Sequence, residues 1–187
     1  MGLFDRLFAK PDPSRKWAPD PNLRLEFDFD RYSLSAVRLG EPMERLTGLG
    51  PPEDRRAALQ EDYCYFSKGL EVDAYFGVVV SYALIWNDER YKPFSGILRH
   101  QSAVIALGPR TREVDIVERF GKPYWHHEDE DDIILFYERG LIEWQVEMSP
   151  ELQLNAIVVC TPPLFSDVSQ RQIYGVTKPW PPQEENC

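Results

Sequence analysis

Residues 133–148, IILFYERGLIEWQVEM, decide how this chain folds. Ile133 to Tyr137 make a dense apolar and aromatic run. Beyond Arg139-Gly140, the residues Ile142, Trp144, Val146 and Met148 alternate with Glu143, Gln145 and Glu147. A period of two marks a strand with one buried face, because successive side chains leave a pleated backbone on opposite sides. Glycine at 140 can take the positive φ of a tight hairpin turn. Leu154-Asn-Ala-Ile-Val-Val-Cys160 then supplies a further strand of the meander. Upstream, Val114, Ile116, Val117 and Phe120 recur near helical spacing behind Thr111, whose hydroxyl can cap a helix. Gly121 is placed to end that helix and Pro123 bars its continuation. The spacing predicts a short helix laid on a three- to four-stranded antiparallel sheet.

The same order occurs earlier in the chain. Ser33-Leu-Ser-Ala-Val-Arg-Leu-Gly40 matches Gln101-Ser-Ala-Val-Ile-Ala-Leu-Gly108, and Leu49-Gly50-Pro51-Pro52 matches Phe120-Gly121-Lys122-Pro123. Tyr65-Phe66-Ser67-Lys68-Gly69-Leu70 matches Phe136-Tyr137-Glu138-Arg139-Gly140-Leu141. Gly50 to Gly121, Pro52 to Pro123 and Gly69 to Gly140 share one offset of 71 residues across a variable loop. In the first copy Pro42 suits a first helical turn, Met43, Leu46 and Leu49 line one face, and Gly50 ends it. Val72 to Phe76 and Val78 to Trp86 are its strands. The expected fold class is α+β: two tandem repeats, residues 23–92 and 93–163. Leu23 to Asp30, alternating apolar and acidic, opens the first as a half-buried strand. Residues 1–22 are expected to hold an amphipathic turn (Leu3, Phe4, Leu7, Phe8) and a Pro-rich linker. Residues 164–187 read as a Pro-rich tail, whose end from Lys178 to Cys187 is expected to be frayed or loosely docked, with Trp180 as an anchor.

This order, Leu-Gly, then helix closing on Gly-x-Pro, then aromatic strands turning at Gly-Leu, resembles the repeat of β-lactamase-inhibitor-like proteins and of small outer-membrane-assembly lipoproteins. The resemblance spans about residues 32–160. It implies helices against an antiparallel sheet and a non-enzymatic, protein-binding role. The chain departs from those families in lacking a signal peptide, a lipobox cysteine near the N-terminus and the paired cysteines of the secreted inhibitors.

Bulk properties narrow the function classes. A content of 43% hydrophobic and 13% aromatic residues is that of a folded domain. Net charge is -10, which argues against nucleic acid, since phosphate binding needs clustered Lys and Arg. It argues equally against anionic membrane surfaces, and no run is long enough for a membrane span. Asp5 and Arg6 break the first apolar stretch, so no secretory signal is expected. Gly2 lacks the following Ser or Thr that myristoylation favours. Cys64, Cys160 and Cys187 are too few and too widely spaced for a disulfide framework or a zinc site. The expected location is cytoplasmic, with no cofactor.

No catalytic signature emerges. His100, Asp115 and the serines lack the nucleophile elbow of a triad enzyme. Asp28 and Asp30, two apart on a strand, read as solvent-facing alternation. In Trp125-His-His-Glu-Asp-Glu-Asp-Asp132 the two adjacent imidazoles should leave an extended chain on opposite sides, and the acids lack calcium-loop spacing. A solvated loop is expected there, and no metal. The expected binding surface instead joins aromatics to acids at the second copy: Tyr124, Trp125, His127, Glu128, Asp129, Glu143 and Gln145. Tyr124 and Trp125, just past the helix-stopping Pro123, are expected to be exposed. Most other aromatics, Tyr63, Tyr65, Tyr75, Phe76 and Trp86 among them, should lie in the core. Such a surface suits a basic protein partner, in an immunity- or inhibitor-like role. Two alternatives stand beside it: a small metal-dependent hydrolase using the His126–Asp132 loop, and a homo-oligomeric structural protein pairing through sheet edges.

Overall fold

The structure is a computed structural model that describes residues 13–57, 60–151 and 153–182. The expected N-terminal turn at Leu3–Phe8 lies outside the described residues. The fold is mixed α+β, mostly sheet, with few helices and no closed barrel.

Small-sheet strands are β1 (Glu26–Asp28), β2 (Ser33–Leu34), β3 (Val37–Arg38), β8 (Ile97–His100) and β9 (Ala103–Ile105). Those of the large sheet are β4 (Asp54–Ala57), β5 (Gln60–Tyr65), β6 (Leu70–Tyr75), β7 (Val78–Ile85), β10 (Trp125–Glu128), β11 (Ile133–Arg139), β12 (Ile142–Met148) and β13 (Leu154–Cys160). The large sheet runs β10-β11-β12-β13-β7-β6-β5-β4. It consists of two four-stranded antiparallel meanders that meet last strand to last strand. Their junction pairs β13 with β7, from Ala156 opposite Ile85 to Cys160 opposite Ser81. The small sheet runs β3-β2-β1-β8-β9, antiparallel except where β1 lies parallel to β8.

Ser33–Gly40 and Gln101–Gly108, expected each to hold a strand ending in Leu-Gly, fold differently. Ser35 and Ala36 sit at φ 48° and 70°, and Gln101 and Ser102 at 50° and 63°, so each pair forms a two-residue hairpin turn. The sequence register sets Ser33 against Gln101, whereas the two turns set Ser35 against Gln101. Non-glycine residues at positive φ give little sequence warning of such a turn.

Strand alternation directs one face of the large sheet toward the small one. From it Leu70, Val72, Tyr82, Leu84, Trp144, Val146, Ile157 and Val159 are all fully buried. The centre of this core is aromatic. Phe29 lies 5.1 Å from Phe120 and 5.3 Å from Trp144, and the His100 ring lies 5.0 Å from Phe120. His100 Nδ1 is 3.1 Å from Asp30 Oδ1, which occupies one of the acids read as merely solvated. One hydrophobic cluster runs through both meanders, so the two share a core.

Helix α1 (Glu113–Phe120) buries Ile116 and Phe120. It starts one residue later than expected: Arg112 is the cap residue, its main-chain N–H donating to Asp115 at 2.9 Å, while Thr111 Oγ1 accepts from the Gly108 N–H. In the first copy Met43–Leu49 is a 3-10 helix, burying Met43, Leu46 and Leu49. Thr47 and Gly48 favour α-helix poorly, and Gly48 packs close against Asp20. Gly50 and Gly121 end these helices at φ 81° and 84°. Each gives its carbonyl to a strand tyrosine, Tyr65 at 3.4 Å and Tyr137 at 3.0 Å.

The flanking segments are packed as far as they are described. Trp17 stacks on Tyr63 at 5.5 Å, and Ser14 is fully buried. Beyond β13, a 3-10 turn at Leu164–Ser166 leads to α2 (Val168–Ile173), capped by Asp167 through the Ser169 N–H at 2.7 Å. The expected loose tail is therefore, through Pro182, a strap across the sheet, held by the fully buried Phe165.

Candidate functional site

The outer face of the large sheet, turned away from the core, carries a line of polar groups. Cross-strand pairing fixes it: Arg56 faces Asp62, Asp62 faces Asp73, and Asp73 faces Ser81. Ser81 faces Cys160, Cys160 faces Glu143, and Glu143 faces Glu138. Directly opposed residues share one face of a sheet. Seven strands thus place four acids and one cation in a single row.

The β10–β13 half of this face is covered by the strap. Phe165 stacks on Phe136 at 4.4 Å, and Tyr174 meets Phe136 at 5.1 Å. Trp125 donates from Nε1 to the Tyr174 carbonyl at 2.9 Å, and the His127 ring meets Tyr174 at 5.0 Å. Tyr124 donates its hydroxyl to the carbonyls of Lys178 and Pro179, while Lys178 Nζ donates to the Tyr124 carbonyl at 2.7 Å. The expectation that Tyr124 and Trp125 stand exposed is therefore corrected: both are half-buried beneath the chain's own strap. An apolar patch that sequence leaves open is covered by the most available apolar segment.

Glu143 is fully buried. Its carboxylate accepts from the Gln145 amide at 2.6 Å and the Phe165 N–H at 3.3 Å, so it ties the strap to the sheet. Glu138, directly opposite, is held well above the carboxylate range by burial first and by Glu143 second, against the pull of the Trp180 indole. Two facing carboxylates in a dry setting cannot both ionise cheaply. Glu128 and Asp129 remain exposed, but Asp129 is committed to the turn between β10 and β11. It accepts from the N–H groups of Asp131 and Asp132, each at 2.9 Å, which lowers its pKa. His126 and His127 project to opposite sides of β10, opposite Leu135 and Ile134. Among the described residues no three His, Cys, Asp or Glu side chains converge in a metal-holding group.

The β4–β7 half is open around Asp73, while Cys64 is buried and Tyr91 donates its hydroxyl to Glu71 at 2.6 Å. Asp73 sits in a cleft of about 320 Å³ with Tyr75, Val80, Ser81, Cys160, Thr161 and Pro162. Burial pushes its carboxyl up to about 7, and Glu71 and Asp62 add to the shift. Asp62 is raised as well, by burial and then Glu71, although Arg56 lies 3.6 Å away and pulls it down. Arg56 is shared with Glu71 at 3.3 Å, so one cation serves three acids. Beside the cleft, the β6–β7 hairpin lifts two aromatics into solvent. Phe76 is 83% exposed and Tyr75 50%, their rings paired at 4.5 Å. Phe76 and Gly77, at φ 50° and 75°, form the two-residue turn. An aromatic-beside-acid pairing thus stands at the β6–β7 hairpin, outside the stretch where the sequence placed one. Its one sequence signal was Phe76-Gly77, glycine at the second position of a hairpin turn.

No protein-family model matches the chain, and no curated protein matches it. Among solved structures it is similar to a DUF4309-family protein from Bacillus subtilis, at 10% identity and a TM-score of 0.47, over 68% of this chain and 84% of that one. It is also similar to a cysteine-rich secretory protein from Staphylococcus aureus, at 12% identity and a TM-score of 0.46, over 71% of this chain and 47% of that one.

Proposed function

We propose that this chain is a non-enzymatic protein-binding module of two tandem α+β repeats, which takes a basic protein partner on the open half of its outer face. The observation that carries the reading is Asp73. A half-buried carboxyl raised to about 7, beside two further acids that share one arginine and a solvent-exposed aromatic pair, is a costly arrangement for the free protein. A lysine or arginine entering that cleft would relieve it, and Phe76 and Tyr75 would supply the apolar anchor. The two-repeat reading is supported by the shared 71-residue offset and by the two meanders meeting last strand to last strand. With it comes the proposed likeness to the inhibitor repeat, and a role of the immunity type in which an acidic face covers a basic toxin domain. In this reading the protein works in the cytoplasm with Cys64 and Cys160 as free thiols.

The test is retention of proteins from an extract of the source organism on the immobilised chain at physiological salt. A basic protein should be retained by the wild type and released by added salt. The double variant Asp73→Asn, Phe76→Ala should retain at least about tenfold less, as expected where a central aromatic anchor and a desolvated charge are lost together. Retention of nothing, or equal retention by both chains, overturns the reading.

A further inference from the structure

A second cavity lies at the opposite end of the large sheet, where β10 stops short of its neighbour. Trp125–Glu128 pairs with Ile133–Phe136, so Tyr137, Glu138 and Arg139 run on past the end of β10. The turn at Lys122-Pro123 forms one side of the resulting gap and Lys178-Pro179 of the strap the other, enclosing about 490 Å³. Pro123, Tyr124 and Pro179 line it, together with the largely buried Phe120 and Tyr137.

Charge distinguishes this cavity from the rest of the molecule. The chain carries a net charge of -10, yet Lys122, Arg139 and Lys178 all line this one space, with Glu138 the one acid among its described lining residues. Two of the cations are held in place. Lys178 Nζ donates to the Tyr124 carbonyl and lies 5.6 Å from the Tyr124 ring centre, and the Arg139 guanidinium lies 5.2 Å from that of Trp144. Fixed donors lose little freedom on meeting a ligand. Burial holds the Glu138 carboxyl well above the carboxylate range and seals its oxygens from solvent, which weakens its opposition to an anion in the cavity. The Glu138 main chain contributes as well. Phe136 turns its carbonyl toward Tyr124 at 2.8 Å, and alternation along an antiparallel strand turns the peptide groups of Glu138 to the same side.

We infer that this cavity binds a small organic anion with a flat apolar body, its acid group among Lys122, Arg139 and Lys178 and its ring against Tyr124, Pro123 and Pro179. A volume of about 490 Å³ accommodates a ligand of one or two rings. The site lies in the other half of the sheet from the Asp73 cleft and does not depend on a protein partner.

Anilinonaphthalene sulfonate, a fused-ring monoanion that fluoresces on leaving water, is the probe. Titration into the intact protein should give one saturable site per chain. Lys122→Glu, an exposed position, should weaken that site at least about fivefold through reversal of one near charge. Lys122→Gln should give a smaller loss in the same direction. Lys92→Glu, the same charge change on an exposed residue of the first half, should alter the affinity by less than about twofold because solvent and salt screen it. Near-ultraviolet circular dichroism of each variant, matching the wild type, shows that packing is kept. Where Lys122→Glu does not keep it, the Lys122→Gln titration decides. Non-saturable fluorescence, or a loss in Lys92→Glu equal to that in Lys122→Glu, overturns the inference.

Discussion

The two halves of the large sheet present the same kind of outer face and meet different fates. On β11 and β12 that face holds Phe136, Glu138, Glu143 and Gln145, and residues 164–180 of the same chain lie over it. On β5 and β6 it holds Asp62, Cys64, Glu71 and Asp73, and Asp73 opens to solvent through a cleft. The covered half carries an aromatic at its centre that a strap can bury with profit. The open half carries acids at the matching place, and burying them under another apolar segment would leave charges unpaired. Chemistry of the face, more than proximity, decides which half a chain can close for itself.

That contrast can be broken first at Phe165. It is fully buried against neighbouring rings, so Phe165→Ala should lower the unfolding free energy in urea titration by about 3–5 kcal/mol, the usual cost of truncating a core phenylalanine. A loss under about 1 kcal/mol would show the strap to be a surface attachment and not part of the core.

Asp73 tests the open half. Its carboxyl is raised to about 7, above an unfolded value of about 4, so its favourable contribution is complete below the lower value and is lost as pH rises through the higher. Asp73→Asn should therefore gain on the wild type between pH 5 and 7 and hold a lead of about 2 kcal/mol above that, after discounting for solvent screening. Thermal or urea unfolding at three pH values checks this; a constant difference would mean that the titrating group lies elsewhere.

A smaller effect is expected from Trp125→Phe, which keeps the ring and removes the N–H donated to the Tyr174 carbonyl. The stability loss should be about 1 kcal/mol, that of one ordinary hydrogen bond. Hydrogen exchange should rise in α2, because Tyr174 follows it directly. Exchange unchanged in α2 would uncouple the strap from β10. The smallest effect on stability belongs to Phe76→Ala, less than about 0.5 kcal/mol for a side chain that is 83% exposed. A larger loss would make Phe76 a folding residue and remove it as a candidate anchor.

Much of this arrangement was legible before any coordinates. The alternation in residues 142–148 and the glycine at 140 are realised as β12 and its hairpin, and Gly50 and Gly121 end their helices at positive φ. The strand read at Leu23–Asp30 shrinks to Glu26–Asp28. The candidate surface was only partly legible. Glu143 and Gln145 do share a face with Trp125, as alternation required, but sequence offered no sign that Phe165 and Tyr174 would lie on it. Prolines in residues 178–187 argued against regular structure there, and they gave no sign that residues 164–173 form a 3-10 turn and a helix packed on the sheet.

The sequence by itself determined the elements that answer to local rules: periods of two and of 3.6, glycines at positive φ, and prolines after helix ends. The pairing of β7 with β13, the row from Arg56 to Glu138, and the cover over one half of it were decided only in the tertiary structure. These join residues far apart in the chain, and their free energy comes from burying faces against each other. No local window of sequence contains that choice.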